Sequence, residues 1–546
     1  MIILGLSHLE PSPIGHDTTV ALLQDGILRS AVSEERFSRI KHDGGYPSNA
    51  IQFCLNECGI TLSDVDRVVV GFGLQDELIE KPNKQRFSST AKSDTRFKKT
   101  LIENKNPIFY NHQYIHARTG YSLSGFNSAV IISLDGGGQD DGKANCGGIF
   151  VANGGEIEPV IIFPIHASLG FAYGILTQTC GFRMQDGEGK TMSLAAYGEK
   201  EPEDVKNKAY QYAKEIFPTF KGLEYLNGGI KELIIRYIHN TQLIYCADER
   251  INSINKLFKN EIIAWAAQKR LEEIVVDLVI NAVELTHQKN VVLTGGVFMN
   301  MIMNLKIREQ LGNNYSIFFN PVSSDLGNAL GVVFEDYYQV TGRNISFPKS
   351  TLYLGPDYGN DEVIASLKKW NFKYERVDKV QMAIELLRKG NVLGWFQGRS
   401  ELGQRALGNR SILSLANDIR YKNIVNEKVK KRELWRPFCP TIIDQKRSYY
   451  LNDPTDAPYM ILGFRMNNSE EAPAVCHIDK TCRPQILEKS INPSFYDVVK
   501  GAGGIILNTS FNLAGEPMVE SPTNALLTFT NSDLDALIIN DFLIRK

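Results

Sequence analysis

The chain lacks the features that mark membrane-spanning, exported and disulfide-stapled proteins. It contains no run of about 18 apolar residues, and the opening segment Met1–Pro13 has neither a basic start nor a long apolar stretch for a signal peptide. Eight cysteines are present, but no two of them form a C-x-x-C pair. We therefore expect reduced thiols, a cytoplasmic location and no membrane partner.

An excess of one charge is also missing. The 60 lysines and arginines nearly balance the 62 aspartates and glutamates, which leaves a net charge of −2. A nucleic-acid partner would therefore need a local basic patch, because the chain as a whole does not attract polyanions. An apolar content of 43% is typical of a globular protein, and 546 residues predict more than one domain.

The stretch Asn111–Gly138 carries the clearest chemical pattern. His112 and His116 are four residues apart, about one helical turn, so both imidazoles lie on one face of a predicted helix. A predicted strand, Ala129–Leu134, then ends in Asp135 and three glycines, which we interpret as a turn. Two histidines and an aspartate suit an open divalent-metal site, and a glycine-rich turn suits phosphate. The alternative is a pair of ordinary core or surface histidines.

A short pattern occurs twice in the first half of the chain. The strand Ile2–Gly5 is followed by a loop and a hairpin with an Asp-Gly turn. The strand Ala129–Leu134 is followed by the glycine turn and a second hairpin through Gly154 and Gly155. The repeat predicts an internally duplicated sheet, which is the organisation of the actin/sugar-kinase-like fold.

Two later strands end in residues that could extend this site. The strand Lys289–Leu293 leads to Gly295, Gly296 and Asn300, where backbone N–H groups can approach a ligand closely. Another strand leads to Asp325, just before a predicted helix of small residues. Asp325 is either a fourth metal ligand or the N-cap of that helix.

Beyond a predicted linker at Thr341–Leu352, the chain becomes locally basic. Ten lysines and arginines stand against four acidic residues between Arg399 and Arg436, with glycines among them and Trp435 and Phe438 as anchors. We interpret this stretch as a site for phosphoryl or carboxylate groups, with RNA contact as the alternative.

A final buried strand, Gly504–Leu507, leads to a polar segment that includes Asn508 and Ser510. Short polar side chains at a strand end can orient a small planar ligand, although they also form simple turns.

Together these segments resemble the NodU/TobZ/CmcH family of O-carbamoyltransferases over nearly the whole chain. The motifs that carry the resemblance are, in order, GHD, EERFSRIKH, HQYIHA, LDGGG, GEGKTMSLAAYGE, LTGGVFMN, SDLGNALG, GRSELGQRALGNRSIL, VKKRELWRPFCP and LNTSFNLAGEP. The resemblance implies an α/β protein of two domains. Residues 1–347 would form a duplicated actin-like domain of the TsaD type, and residues 348–546 would form a YrdC-like α/β domain.

The resemblance also implies an activity. Carbamoyl phosphate and ATP, with Mg²⁺, would give carbamoyladenylate, whose carbamoyl group passes to a hydroxyl of a small molecule such as a sugar or natural product. Adenylation makes AMP a good leaving group, and the negative charges that it brings together require a guanidinium-rich pocket.

Candidate residues follow from the same resemblance. The substrate pocket of the second domain would comprise Arg405 and Lys430, which are also catalytic, with Arg399, Arg410, Arg436, Arg483, Asn508 and Ser510. A metal would be held by His112, His116, Asp135 and Asp325. Iron(II) is the expected metal, and zinc or manganese would fit the same ligands. Contacts to the nucleotide or cofactor would come from Lys41, Asp135, Gly137, Gly295, Gly296 and Asn300.

His16 is the candidate general base for the acceptor hydroxyl, since a histidine pKa can lie near the operating pH. The alternative for His16 is a hairpin-loop histidine that bonds the adjacent Asp17. Two positions depart from the family pattern: Cys439 replaces an expected alanine, and Lys480 replaces an expected glycine in a turn.

Two other functions were weighed. A tRNA-modifying enzyme of the threonylcarbamoyl type has related domains, but the acidic balance and the fused arrangement argue against it. A non-catalytic nucleic-acid-binding module would leave the histidines and glycine motifs unexplained. Acceptor specificity is expected in Leu74–Asn106 and Lys206–Glu249, and a homodimer is the family-level expectation.

Overall fold

The computed structural model describes residues 1–9, 17–71, 102, 104–228, 254, 256–345, 347 and 352–546. The chain divides into two compact units. The first comprises Met1–Arg29 and Asp43–Phe347, and the second comprises Ser30–His42 and Pro348–Lys546. The second unit therefore includes a short segment from near the N-terminus, which the sequence analysis does not predict.

Two five-stranded sheets form the framework of the first unit. Its strands are β1 (Ile2–Leu6), β2 (Thr19–Gln24), β3 (Ile27–Ser33), β4 (Arg67–Gly71), β5 (Ile108–Tyr110), β6 (Ser128–Asp140), β7 (Lys143–Asn153), β8 (Glu156–Pro164), β9 (Pro218–Lys221), β10 (Glu224–Gly228), β11 (Asn290–Thr294) and β12 (Ser316–Phe319). The sheets have the orders β3-β2-β1-β4-β5 and β12-β11-β6-β7-β8, and β9 and β10 form a separate pair. The edge strand β3 begins in the first unit, and its last four residues, Ser30–Ser33, belong to the second.

The two large sheets have the same topology. In one sheet β1 pairs antiparallel with β2 and parallel with β4, and in the other β6 pairs antiparallel with β7 and parallel with β11. The last strand of each sheet is also parallel to its neighbour: β5 pairs with β4, and β12 pairs with β11. The internal duplication predicted from the repeated hairpins is therefore confirmed, and its strand order is that of the actin/sugar-kinase-like fold.

Helices pack on these sheets. Those of the first unit are α2 (Ser48–Glu57), α3 (His112–Ser124), α4 (Leu169–Thr179), α5 (Glu188–Gly198), α6 (Glu203–Ile216), α7 (Asn260–Thr286), α8 (Met301–Leu311) and α9 (Asn328–Thr341), while α1 (Glu35–Ser38) belongs to the second unit. Gly5 of β1 lets α9 lie close, because a Cβ there would stand 2.4 Å from Val333 Cγ1. Among the described helices, none is long and apolar enough to cross a bilayer.

The predicted turn at Asp135–Gly138 is wrong. Strand β6 continues through Asp140, with only a shift of register between Leu134 and Gly138. The chain reverses later, at Asp141 and Gly142, where both residues have positive φ as a tight Asp-Gly hairpin requires. The glycines therefore form an irregular strand instead of a loop.

A mixed eight-stranded sheet forms the centre of the second unit. Its strands are β13 (Glu375–Arg376), β14 (Leu393–Phe396), β15 (Arg410–Leu415), β16 (Cys439–Ile443), β19 (Gln485–Leu487), β20 (Ile505–Ser510), β21 (Ala536–Ile539) and β22 (Phe542–Arg545), and β17 (Phe464–Arg465) pairs with β18 (Thr481–Cys482) outside the sheet. The sheet order is β13-β22-β21-β14-β15-β20-β16-β19.

The helices of the second unit cover this sheet. They are α10 (Asn360–Lys369), α11 (Lys379–Arg388), α12 (Ile419–Ile424), α13 (Arg447–Tyr450), α14 (Pro493–Gly501) and α15 (Pro522–Thr530). Trp395 and Phe495 lie fully buried in the core between sheet and helices. Because β15, β20 and β16 are neighbours, the loop before β15, the residues of β20 and the start of β16 come together, and the basic motifs lie on these elements.

Candidate metal and anion sites

Four side chains of the first unit point their ligand atoms at one another. His112, His116, Asp135 and Asp325 each offer one atom, and all four atoms lie within 4.8 Å of one another. The Nε2 atoms of the two histidines are 3.2 Å apart, and His116 Nε2 is 3.2 Å from Asp325 Oδ1. Two imidazole nitrogens that face each other at this distance beside two carboxylates form the donor set of a divalent cation.

The fold positions these ligands from three elements. Both histidines lie at the start of α3, as their spacing predicts, and Asp135 lies on β6. Asp325 is the first residue of a short 3₁₀ turn whose N-cap is Ser324, and the following helix has Gly327 as its N-cap, so Asp325 caps neither. Gly138 makes room for the site, because a Cβ there would stand 2.1 Å from His112 Cγ.

Neighbouring groups hold the ligands and set their charge. The Gly296 N–H donates to Asp135 Oδ1 at 3.1 Å, while Asp135 Oδ2 lies 3.2 Å from His112 Nε2. Burial lowers the pKa of His112, but the carboxylates of Asp325 and Asp135 outweigh burial and raise that pKa well above its usual value. The site therefore stabilises positive charge, whether it comes from protons or from a cation.

The other nucleotide candidates of this unit lie around the same strand ends. Gly295 has a φ of 92°, and a Cβ there would stand 2.2 Å from Leu134 O. A Cβ at Gly137 would meet Ile165 Cδ1 at 2.2 Å, so this glycine also permits close packing. Asn300 caps α8 by accepting from Met303 N, and its amide exchanges hydrogen bonds with Gln268. Its side chain is thus already engaged within the protein.

The second unit gathers four basic residues, of which Lys430 is buried and three arginines are half-buried. Arg405, Lys430, Arg432 and Arg483 form no ion pair with an acidic side chain anywhere in the described part of the chain. Burial, reinforced by Arg483, lowers the pKa of Arg405, and burial with Arg436 lowers the pKa of Arg432. Arg432 is not among the pocket residues predicted from the sequence, although it stands inside the motif VKKRELWRPFCP.

An amide lies beside these cations. Asn508 is fully buried on β20, and its Nδ2 donates to Ala406 O at 3.2 Å and to Thr441 Oγ1 at 3.0 Å. Gln485 completes the network, because its Oε1 accepts from both Thr441 Oγ1 and Asn508 Nδ2. Among the described residues, the Oδ1 atom of Asn508 has no hydrogen-bond partner. A buried acceptor of this kind invites a ligand N–H.

Lys430 is fixed at the end of the same strand. Its Nζ donates to the carbonyl of Ser510, to Asn512 Oδ1 at 2.6 Å and to Asn512 O at 3.0 Å. Burial, with the charges of Arg432 and then Arg436 and Lys41, holds the pKa of Lys430 well below its usual range. Lys41, a nucleotide candidate, thus lies in the second unit and acts on Lys430.

Two other predicted pocket residues have structural partners. Arg410 is fully buried, and its Nη1 donates to the carbonyls of Gln397 and Gly398 while its Nη2 donates to Pro356 O. Arg399 likewise donates to Gly355 O and Leu354 O. Both guanidinium groups brace backbone turns.

The structure describes two of the remaining predicted positions, Lys480 and Cys439. Lys480, in place of the expected glycine, takes a φ of 63°, so the turn keeps its positive φ at the cost of strain. Cys439 lies 3.2 Å from both Nε and Nη2 of Arg483. His16 and most of Leu74–Asn106 lie outside the described residues, as does part of Lys206–Glu249.

Family models match both units. The model described as "Carbamoyltransferase N-terminus" matches residues 3–100 and 80–334, and the model described as "Carbamoyltransferase C-terminus" matches residues 384–546. The chain belongs to the carbamoyltransferase family. It is accordingly an enzyme that transfers a carbamoyl group.

Two relatives of this carbamoyltransferase align with nearly its full length, and a third aligns with about half of it. The nodulation protein NolNO of Sinorhizobium fredii is 33% identical over 98% of this chain and 80% of its own length. A Methanocaldococcus jannaschii protein, MJ1051, is 31% identical over 97% of this chain and 98% of its own length. The 3'-hydroxymethylcephem-O-carbamoyltransferase of Amycolatopsis lactamdurans is 28% identical over 46% of this chain and 47% of its own.

Similarity to solved structures is weak. The crystal structure of HypF from T. kodakarensis is 16% identical, covers 62% of this chain and 48% of its own, and has a TM-score of 0.33. The family assignment therefore comes from the sequences.

Proposed function

We propose that this carbamoyltransferase makes carbamoyladenylate from carbamoyl phosphate and ATP and passes the carbamoyl group to a hydroxyl of a small-molecule acceptor. Carbamoyl phosphate would lose phosphate to water, and an oxygen of the resulting carbamate would attack the α-phosphorus of ATP and expel pyrophosphate. The acceptor oxygen would then attack the carbamoyl carbon, and AMP would leave. One relative is named as a 3'-hydroxymethylcephem-O-carbamoyltransferase, which supports a hydroxylated small molecule as the acceptor.

The observation that carries this proposal is the cluster of unneutralised cations in the second unit. Removing charge from water without a counter-ion is costly, and four cations in one place repel one another, so a bound anion would stabilise all of them. Arginine forks suit phosphate and carboxylate oxygens, since they donate two parallel hydrogen bonds. We assign the anion-binding role to Arg405, Arg432 and Arg483, with Lys430 and Arg436 beside them.

Asn508 supports the carbamoyl part of the proposal. Thr441 Oγ1 and Gln485 Oε1 both accept hydrogen bonds from its Nδ2, which leaves Oδ1 as the acceptor for a ligand. A carbamoyl group carries an NH₂ that can donate to such an oxygen. A simple phosphate or acyl phosphate lacks this donor, so Asn508 would select for the carbamoyl group over those anions. The YrdC-like assignment of this unit belongs to the same proposal.

The four ligands of the first unit fit a divalent cation, and iron(II), zinc and manganese all match two nitrogens and two oxygens. When bound, such a cation would offset the phosphate charge of an adenylate. Gly296 N–H would hold Asp135 in place for it, and Gly138 would keep the His112 ring in position. His16 remains our candidate for the general base at the acceptor hydroxyl.

Pyrophosphate release tests the first half-reaction. Purified protein would be incubated with ATP, Mg²⁺ and iron(II), with and without carbamoyl phosphate, and no acceptor. We expect release only when carbamoyl phosphate is present. Arg405→Ala and Arg483→Ala should lose it, whereas Arg388→Ala, on the exposed end of α11, should keep it. Equal release with and without carbamoyl phosphate would contradict the proposal.

A further inference from the structure

We propose that the segment Ser30–His42, called the strap below, completes the anion pocket of the second unit, with Arg36 and Arg39 as positioning residues. This inference rests on the proposed function, because it gives the pocket its role. Both backbone and side-chain atoms of the strap form hydrogen bonds with the rest of the second unit. Its Ala31 N–H donates to Leu354 O at 3.2 Å, and its basic residues reach two loops that carry pocket residues.

Arg36 holds the loop that presents Arg405. Its Nη2 donates to Glu401 O and to Gly403 O, both at 2.9 Å. These two carbonyls lie four and two residues before Arg405. The Arg36 side chain is only 3% exposed, so water does not replace these bonds. A guanidinium that donates to two backbone carbonyls fixes the turn more rigidly than one bond would.

A side chain of the same loop also holds the loop's own backbone in place. Glu401 Oε1 accepts from Leu407 N at 2.7 Å and from Asn409 N at 2.8 Å, on the far side of Arg405. Arg36 thus fixes the loop before Arg405 and Glu401 fixes it after. Since Ala406 O also accepts from Asn508, the position of this loop sets both the cation and the amide of the pocket.

Arg39 holds a second loop. Its Nη1 donates to Met518 O and its Nη2 to Pro517 O, both at 2.7 Å. Just before them, Asn512 donates to Glu516 O and accepts from Lys430. Arg39 therefore steadies the loop whose oxygens hold the Lys430 ammonium.

A buried carboxylate, Glu520, lies between Arg36 of the strap and Arg410 of the same unit. Glu520 is 1% exposed, and its Oε2 lies 3.6 Å from Arg36 Nη1 while its Oε1 lies 3.6 Å from Arg410 Nη2. Burial raises the pKa of Glu520, and the charges of Arg410 and Arg36 oppose that rise. Removing Arg36 would leave Glu520 with one cation instead of two, so the strap is integral to this unit.

The test compares Arg36→Lys and Arg36→Met with the full-length parent protein in the pyrophosphate assay. Lysine keeps the charge but cannot donate to both carbonyls. We expect Arg36→Lys to raise the KM for carbamoyl phosphate by about fivefold or more while kcat changes by less than about twofold, since a displaced Arg405 weakens anion binding in ground and transition states alike. Arg36→Met should show a larger rise.

A matched control separates position from stability. Arg67→Lys in the first unit breaks a comparable fork, because Arg67 Nε and Nη2 donate to the buried Asp336 at 2.6 and 2.8 Å. Thermal melting should fall in both lysine variants, but only Arg36→Lys should change the KM for carbamoyl phosphate. If Arg36→Met fails to fold, inorganic phosphate titrated against Arg36→Lys by calorimetry provides the second measurement.

The outcomes distinguish the two proposals. No carbamoyl-phosphate-dependent release from the parent protein would overturn the proposed function itself. An active parent protein with an unchanged KM in Arg36→Lys, or the same KM change in Arg67→Lys, would overturn the role of the strap alone.

Discussion

Cys439 Sγ lies 3.2 Å from both Nε and Nη2 of Arg483, so a thiol occupies the fork of a pocket arginine. Alanine is expected at this position from the resemblance, and the cysteine places a weak acceptor where we propose that an anion binds. Replacing Cys439 by alanine should free the fork. We expect Cys439→Ala to lower the KM for carbamoyl phosphate by about fivefold, the value of one hydrogen bond of about 1 kcal/mol.

Thiol alkylation provides an independent check on the same contact. Iodoacetamide should inactivate the parent protein, since a carboxamidomethyl group on Cys439 would fill the space in front of Arg483. Cys439→Ala should resist the reagent, while Cys58→Ala, which changes a half-buried thiol of the first unit, should not. Equal sensitivity of parent and Cys439→Ala would show that the contact has no part in anion binding.

Two glycines of strand β6, Gly136 and Gly138, should differ sharply in how well they tolerate substitution by alanine. A Cβ at Gly138 would stand 2.1 Å from His112 Cγ, whereas a Cβ at Gly136 meets nothing within 4 Å. Gly138→Ala should therefore displace the His112 ring and weaken metal binding by about tenfold or more. Gly136→Ala should bind metal as the parent does. Competition with a chromogenic chelator measures both, and equal affinities would contradict the site.

Ligand removal tests the same site directly. His112→Ala and Asp325→Asn should each lower the metal bound per chain, as measured by elemental analysis after dialysis. His287→Ala is the control, because His287 is exposed at the end of α7. Undiminished metal content in His112→Ala would place the cation elsewhere.

Local chemistry explains which parts of the fold could be predicted. The Asp25-Gly26 turn has φ values of 52° and 78°, as its residue types demand, and the hairpin follows from them. The spacing of His112 and His116 likewise places both on one helix face. By contrast, the glycines after Asp135 do not form the predicted turn but continue strand β6, although glycine in isolation indicates a turn. Here Gly138 has no Cβ and so leaves room for the ring of His112, which lies 26 positions earlier in the chain.

The strap could not be predicted for a related reason. Arg36 and Glu401 are 365 positions apart, and no periodicity or turn signal encodes a contact at such separation. Arg410 illustrates the same limit. An arginine in a glycine-rich basic loop suggests a ligand, and only the packed structure shows its donors occupied by backbone carbonyls.

Lys430 should give stability and anion affinity opposite dependences on pH. Its folded-state pKa lies well below 10.5, the unfolded value, because burial and Arg432 disfavour its charge. Between these two pKa values the unfolded chain binds more protons, so the free energy of unfolding should rise with pH there. Anion binding needs the charged ammonium, so phosphate affinity should fall over the same range.

Lys430→Met separates this effect from other titrations. In the variant, both slopes should flatten, since no proton is exchanged at this position. Urea unfolding and phosphate calorimetry at several pH values up to 10.5 would measure them. The opposite signs of the two slopes are the diagnostic result. A fold that loosens at high pH would lower both the free energy of unfolding and the phosphate affinity. Only the loss of a buried charge raises the free energy of unfolding while it lowers the phosphate affinity. Parallel slopes in the parent protein would therefore show that Lys430 keeps its proton throughout.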